Sequence, residues 1–222
     1  MYTYAFLPRS EMPPELPEGI LGDLALVNGA YLSAVVEPKL QVEQLQNSDE
    51  QLMQAVLVHD RVIQELFRQT VVLPLRFGTY FVSREGLLEH LATRNSEYLQ
   101  KLAKLQGKAE YVLKLTPVER SQPSIESDLK GKDYFLAKKQ RYQSQAEQQQ
   151  QQQSELEQLM QAIAQHYPDL VRSEPKDGVE RIYLLASFLA SFTPHQSLPS
   201  WQSQCPHWQL SLGEALPPYH FV

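Results

Sequence analysis

The stretch that decides the fold is Val71-Val72-Leu73-Pro74-Leu75-Arg76-Phe77-Gly78-Thr79-Tyr80-Phe81, an apolar run with a single charge. Pro74 has no backbone N–H and a fixed φ, so a strand through it must lie at a sheet edge or bend. Gly78 permits a backbone conformation that other residues resist. We therefore expect two short strands bent at Leu73-Pro74. Arg76 either binds carbonyls or a carboxylate within the fold, or it contacts a ligand or partner.

Composition limits the classes of function. The chain has 222 residues, 42% of them hydrophobic, which is enough for one large domain or two ordinary ones. A net charge of −6 argues against binding to nucleic acid or to a lipid membrane, because both need clustered lysine and arginine. Cys205 is the only cysteine, so a disulfide within the chain is excluded and a reducing compartment fits.

The chain shows no targeting or membrane-spanning pattern. Met1 to Pro8 has no basic lead-in of the kind that opens a signal peptide. The most apolar run, Ile182 to Phe192, is about half as long as the roughly 20 residues of a transmembrane helix. We expect a cytoplasmic protein.

The first third of the chain predicts a strand and a hairpin. Tyr2 to Leu7 is rich in β-favouring residues, and the proline-rich segment Pro8 to Gly22 is a loop. Leu24 to Asn28 and Tyr31 to Val36 then flank Asn28-Gly29-Ala30, which favours a tight turn with positive φ angles.

Three amphipathic helices are expected between the hairpin and Gly107. Ser48 is a predicted N-cap, and that helix runs to about Arg68. Its expected apolar face consists of Leu52, Val56, Ile63 and Leu66, with Met53, Leu57 and Phe67 beside them. Ser83 is predicted to cap a second helix, which buries Leu87, Leu88 and Leu91. A third helix is expected from about Ser96 to Gly107, because glycine commonly ends a helix.

The second half of the chain predicts a ferredoxin-like domain. The expected elements are a strand from Ala109 to Leu115, a helix within Gly131 to His166, strands Leu170 to Glu174 and Val179 to Ser187, a helix within Pro194 to Gln204, and a strand from His207 to Leu212. Pro175-Lys176-Asp177-Gly178 is a turn between the middle strands, and Thr116 to Lys130 is a surface loop. This β-α-β-β-α-β order is that of the ferredoxin-like fold.

The predicted fold class is therefore α+β with two domains. Residues 1–106 form a mostly antiparallel sheet with helices, and residues 107–222 form the ferredoxin-like domain, with a tail that can pack back on the first. A helix spanning Gly131 to His166 would be over about 50 Å long, more than a small sheet covers. The surplus lies around Gln143 to Gln153, which includes six consecutive glutamines. We interpret it as an exposed, length-tolerant insertion in which the helix overhangs or breaks, rather than as an interaction element.

Motifs of catalysis and cofactor binding are absent from the sequence. There is no glycine-rich phosphate loop, no zinc-protease motif and no serine-hydrolase elbow, and no cofactor or metal site is expected. His59-Asp60-Arg61 is one short polar cluster, but consecutive residues cannot share one helix face. The candidate third strand of the second domain also lacks the aromatic pattern of RNA-recognition domains.

Two motifs resemble the gas vesicle protein F/L family. They are Leu73-Pro74-Leu75-Arg76-Phe77-Gly78-Thr79 and the C-terminal Pro217-Pro218-Tyr219-His220-Phe221, the second without the tryptophan that often precedes it. The resemblance covers essentially the whole chain, and the glutamine content favours a cyanobacterial-type member. The family-signature residues, with a structural or partner-contact role, are Leu73, Pro74, Arg76, Phe77, Gly78, Pro217, Pro218, Tyr219 and Phe221.

The resemblance implies a non-enzymatic accessory component of gas vesicles, the gas-filled shells that give buoyancy. Its implied partners are the hydrophobic major shell protein and other accessory proteins. Two further hypotheses come from the residues: a small-ligand regulatory module on the ferredoxin-like domain, and an enzyme using His59, Asp60 and Arg76. Under the family reading we expect Arg76 to be buried and hydrogen-bonded within the fold.

Overall fold

The computed structural model describes residues 1–40, 48–118, 131–188 and 193–222. Most of the loop expected from Thr116 to Lys130 lies outside these ranges. The chain forms two compact units. The first comprises Met1–Glu110 and Ala215–Val222 with a short segment at Ser187 and Phe188, and the second comprises most of the remaining residues. A division into independently folding domains at residues 106 and 107 stays a prediction.

The first unit contains a four-stranded sheet and three helices. In chain order these are β1 (Tyr2–Pro8), β2 (Ala25–Asn28), β3 (Leu32–Glu37), α1 (Asp49–Phe67), β4 (Leu73–Pro74), α2 (Arg84–Thr93) and α3 (Asn95–Leu105). The sheet order is β2-β3-β1-β4, with each described pair antiparallel. β1 is almost wholly buried because it is central in the sheet and α1 packs on it.

The hairpin of β2 and β3 forms where the sequence predicts it. Its loop closes with a hydrogen bond from the Gly29 N–H to the Leu32 carbonyl at 2.8 Å. The Ser33 hydroxyl also donates to the Asn28 amide oxygen at 2.8 Å. Gly29 does not adopt a positive φ, so that detail of the prediction is wrong: Gly29 lies opposite Leu32 in the ladder, and the residues of the turn, Ala30 and Tyr31, do not adopt a positive φ either.

Helix α1 begins as expected, with the Ser48 side chain accepting from the Gln51 N–H at 3.2 Å. Its buried face is different from the one predicted, and consists of Ala55, His59, Val62, Ile63 and Leu66. In its first turns, Leu52, Met53, Val56 and Leu57 are between 39% and 68% exposed. Leu52 and Val56 precede His59 and Ile63 by seven residues and lie on the same side of the helix, so they are exposed because the fold covers mainly the later turns of α1.

The second unit has the ferredoxin-like order. Its elements are β5 (Lys108–Pro117), α4 (Lys132–His166), β6 (Leu170–Arg172), β7 (Glu180–Ser187), α5 (Pro194–Gln204) and β8 (Trp208–Leu212). The sheet order β6-β7-β5-β8 places the first and third strands in the centre, as this fold requires. The turn before β7 uses positive φ at Asp177 and Gly178, as the Asp-Gly pair predicts.

Helix α4 is continuous for 35 residues, about 52 Å. It therefore overhangs the sheet and does not break. Two of the six glutamines also hold the helix in place: the Gln148 and Gln152 side chains donate to the carbonyls of Val118 and His207 at 3.1 and 3.3 Å. Gln148 and Gln152 lie one turn apart on one face of the helix. Part of the glutamine segment therefore binds the rest of the second unit, and the segment is not simply a length-tolerant insertion.

Candidate partner-binding site

The family-signature stretch runs along the edge of the first sheet, beside β1. Leu73 and Pro74 pair with Phe6 and Ala5, and pairing resumes where Tyr80 bridges to Tyr2. Between them the chain makes a turn. Its closing bonds run from the Thr79 N–H and hydroxyl to the Arg76 carbonyl, at 3.1 and 2.7 Å. The predicted bend thus lies at Arg76 to Gly78 and not at Leu73-Pro74.

Pro74 and Gly78 have the backbone roles expected of them. Pro74 lies in the edge strand β4, where a missing N–H costs little. Gly78 has φ of +85° and nothing within 4 Å of the position of a Cβ, so conformation and not space demands glycine.

A buried hydrogen-bond chain fixes this turn to β1 and α1. The Gly78 N–H donates to the Tyr2 hydroxyl at 3.3 Å, and that hydroxyl contacts His59 Nδ1 at 2.8 Å. His59 Nε2 contacts the Leu75 carbonyl at 3.0 Å. Because a carbonyl only accepts, Nε2 carries the proton, and Nδ1 accepts from Tyr2. Burial lowers the pKa of His59, which keeps the ring in this neutral form.

Arg76 is exposed, which contradicts the expectation that it is buried and bonded within the fold. The physical reason is the turn: Thr79 already satisfies the Arg76 carbonyl, and the side chain projects from the edge of the sheet. Two apolar residues that follow are also in solvent, Tyr80 at 44% and Val82 at 96% exposure. We call Arg76, Tyr80 and Val82 the edge cluster.

The C-terminal motif packs in the same unit. The Tyr219 hydroxyl donates to Asp60 Oδ1 on α1. The His220 N–H and its Nδ1 both contact the buried carboxylate of Glu110 at 2.8 Å, and Glu110 pairs through its backbone with Leu216. The neighbouring residues His59 and Asp60 thus each hold one signature segment. Of the signature residues besides Arg76, Leu73, Pro74, Pro217 and Pro218 are buried, Phe77, Tyr219 and Phe221 are half-buried, and Gly78 is exposed.

A second buried carboxylate belongs to Glu37, which sequence reasoning missed. It is 1% exposed and accepts from the Tyr4 hydroxyl at 2.6 Å and from the N–H groups of Ile20 and Leu21 at 2.8 and 2.7 Å. Burial and this carboxylate raise the pKa of Tyr4. The network ties the proline-rich loop to β1 and β3, and because every residue of β3 is buried, no alternation along the strand marks Glu37.

These contacts leave no catalytic group at His59, Asp60 and Arg76. Both His59 ring nitrogens are engaged, and Asp60 accepts from Tyr219 and from the Gln64 amide at 2.7 Å. Arg76 lies in solvent, so the described contacts do not support the enzyme hypothesis built on these three residues. Within the described ranges, no three histidine, cysteine or carboxylate side chains come together as metal ligands would.

Two further histidines, His195 and His207, contact side chains of the second unit. His195, at the start of α5, lies edge-on to Tyr111 at 5.8 Å between ring centroids. His207 Nδ1 contacts the Glu155 carboxylate of α4 at 2.5 Å.

In the part of the chain that is described, no helix combines the length and apolarity needed to cross a membrane.

Comparison with known proteins gives the same family as the two motifs. The family model described as gas vesicle synthesis protein GvpL/GvpF matches residues 1–222. The fold is similar to the crystal structure of gas vesicle protein GvpF from Anabaena sp. PCC7120, with a TM-score of 0.70 and 14% identity over 99% of this chain and 96% of that chain. GvpF from Microcystis aeruginosa gives a TM-score of 0.63 and 14% identity over 99% of this chain and 97% of that chain.

No curated protein sequence matches the chain. At 14% identity the two crystal structures show a shared fold, and the family model carries the assignment. Because that model spans every residue, the chain belongs to the GvpL/GvpF family of gas vesicle synthesis proteins.

Proposed function

We propose that this protein is a minor assembly component of gas vesicles that binds the hydrophobic major shell protein through the edge cluster. The observation that carries the proposal is the exposure of Arg76, Tyr80 and Val82 beside a turn that the fold holds rigidly. An arginine of the fold would be expected to bind internal carbonyls. This one is exposed, lies in a stretch that marks the family, and is followed in the chain by two exposed side chains, Tyr80 and Val82.

The chemistry of the edge cluster suits such a partner. A shell subunit with an apolar face aggregates unless that face is covered until assembly. Val82 and Tyr80 supply apolar contact, and the Arg76 guanidinium can bind a carboxylate or carbonyl at the margin of the contact. The hydrogen-bond chain through Tyr2 and His59 holds the turn in place before binding, so little ordering entropy is lost.

The test is co-expression of this protein with the major shell protein. The variant combines Arg76→Glu with Val82→Asp, two exposed positions that leave the core intact. We expect the wild type to keep the shell protein in the supernatant after sedimentation and to copurify with it. With the variant, the amount of copurified shell protein should fall at least about tenfold, equivalent to a loss of about 1.4 kcal/mol of binding free energy.

A matched control changes two other exposed residues of the first unit, Arg68→Glu with Met12→Asp, and should behave as the wild type. The proposal fails if the shell protein never copurifies with the wild type. Equal copurification with the wild type, the variant and the control would also overturn the role of the edge cluster.

A further inference from the structure

The first half of α4 is an exposed arm. From Lys132 to Ala146 no described side chain is buried, and just beyond this segment the Gln148 amide donates to the Val118 carbonyl at 3.1 Å. The arm is about 22 Å long at 1.5 Å per residue. Its length exceeds what the sheet of the second unit requires, and its described side chains leave most of its surface open to solvent.

The arm has an aromatic and basic face. Phe135 is 70% and Tyr142 is 60% exposed, and the two lie seven residues apart on one side of the helix. The Lys138 ammonium lies 5.9 Å from the Tyr142 ring centroid. Phe135, Lys138, Lys139, Tyr142, Gln143 and Ala146 form one continuous open surface on this side of the helix. With four basic residues and one acidic residue, the arm carries +3 in a chain of net charge −6.

The first turns of α1 present the opposite charge. Leu52, Met53, Val56 and Leu57 form an exposed apolar surface, with Met53 at 68% and Leu57 at 58% exposure. Asp49 and Glu50 lie exposed in the first turn of the same helix, and its first basic residue is Arg61. We call Asp49, Glu50, Leu52, Met53, Val56 and Leu57 the α1 face.

We propose that the arm of one copy of this chain docks on the α1 face of a second copy. Each surface combines large exposed apolar side chains with charges of one sign, and the two signs are opposite. Packed side by side and parallel, at the usual axis separation of about 8–10 Å, the helices would place Lys138 and Lys139 beside Asp49 and Glu50 and Tyr142 beside Met53, because the spacing along each helix is the same. Electrostatic complementarity of this kind selects the partner and sets its register.

The second copy is favoured as occupant because every chain carries both surfaces. A contact between two different patches is heterologous, so each copy can bind one neighbour through its arm and another through its α1 face. Such a contact extends into a row or ring of copies. Two short helices bury less than a standard interface of about 1,600 Å², so each contact should be weak, with Kd on the order of micromolar or above.

A charge-swap experiment tests this pairing. The arm variant is Lys138→Glu with Lys139→Glu, and the face variant is Asp49→Lys with Glu50→Lys. In sedimentation velocity over a dilution series, the wild type should associate as concentration rises. Each variant alone should remain monomeric at concentrations where the wild type associates, because its arm and face then carry the same sign. An equimolar mixture should associate again, since both kinds of contact pair opposite charges.

The matched control is Lys114→Glu with Lys176→Glu, two exposed lysines of the second unit, and it should associate as the wild type does. A wild type that stays monomeric at all concentrations overturns the proposal, as does a mixture that behaves like the separate variants. If circular dichroism shows that the face variant is unfolded, the test rests on sedimentation of the arm variant. Association of the arm variant as strong as that of the wild type would then overturn the proposal. Arg76→Glu with Val82→Asp should still self-associate, which separates this contact from shell-protein binding.

Discussion

Replacing Tyr2 with phenylalanine should destabilise the first unit although the ring is retained. The Tyr2 side chain is fully buried, and its hydroxyl donates to His59 Nδ1 at 2.8 Å and accepts from the Gly78 N–H at 3.3 Å. Loss of the shorter bond removes about 1 kcal/mol net, and the unpaired buried Nδ1 adds about 1–3 kcal/mol. The longer bond contributes less. We therefore expect the free energy of unfolding to fall by about 2–4 kcal/mol.

Urea unfolding followed by circular dichroism measures this loss, with the slope against denaturant checked to be unchanged. The matched control is Tyr31→Phe, since Tyr31 is 64% exposed and should change the free energy by less than about 0.5 kcal/mol. A loss below about 0.5 kcal/mol for Tyr2→Phe would refute the account of the hydrogen-bond chain that holds the signature turn.

Two further perturbations follow from buried groups of the first unit. A Cβ at Gly19 would lie 2.4 Å from Glu37 Oε2, so Gly19→Ala should lower the free energy of unfolding in urea by about 1–3 kcal/mol. The control Gly22→Ala places its Cβ 3.8 Å from the same carboxylate and should lower it little. Equal losses in the two variants would contradict the contact. Burial lowers the pKa of His59 from its ordinary 6.5, so the unfolded chain binds the proton more readily and stability falls as pH drops below about 6.5. His59→Gln should reduce this slope and exposed His166→Gln should not; an unchanged slope in His59→Gln would show that His59 is not its source.

Local signals in the sequence predicted most of the fold. The capping residues Ser48 and Ser83, the Asp177-Gly178 turn and the alternation of the strands place elements within a few residues of where the structure has them. The order of elements then predicted the ferredoxin-like sheet, and the observed strand order β6-β7-β5-β8 is that of this fold. The predicted family, α+β fold class and assignment to gas vesicles are confirmed.

Side-chain positions were predicted less well where tertiary contacts decide them. The apolar residues at 52, 53, 56 and 57 satisfy helical spacing, yet the sheet covers only the later turns of α1. Arg76 was expected to be buried because the family resemblance favoured a structural role for its stretch, but Arg76 lies at a turn and its side chain is exposed. Neither outcome is encoded in local periodicity.

The buried polar networks were also beyond the sequence. Tyr2 with His59, and Tyr4 with Glu37, are 57 and 33 residues apart in the chain. Each residue type is ordinary at its position; the packing of α1 on β1 brings Tyr2 and His59 together, and the pairing of β1 with β3 brings Tyr4 and Glu37 together. The signature motif itself was visible, but the reason for it, a turn fixed by Tyr2 and His59, is a property of the folded unit.

Site-specific photo-crosslinking tests the central claim, binding of the shell protein at the edge cluster, most directly. A photoreactive amino acid replaces Val82, which is 96% exposed, or Met12, which is 86% exposed, in cells that assemble gas vesicles. Val82 follows Phe81, whose N–H donates to the Met1 carbonyl just before the start of β1. Met12 follows the opposite end of β1, at Pro8, about 20 Å along the strand. We predict a crosslink to the major shell protein from position 82 and none from position 12. No crosslink from position 82, or equal yields from both positions, would contradict the account.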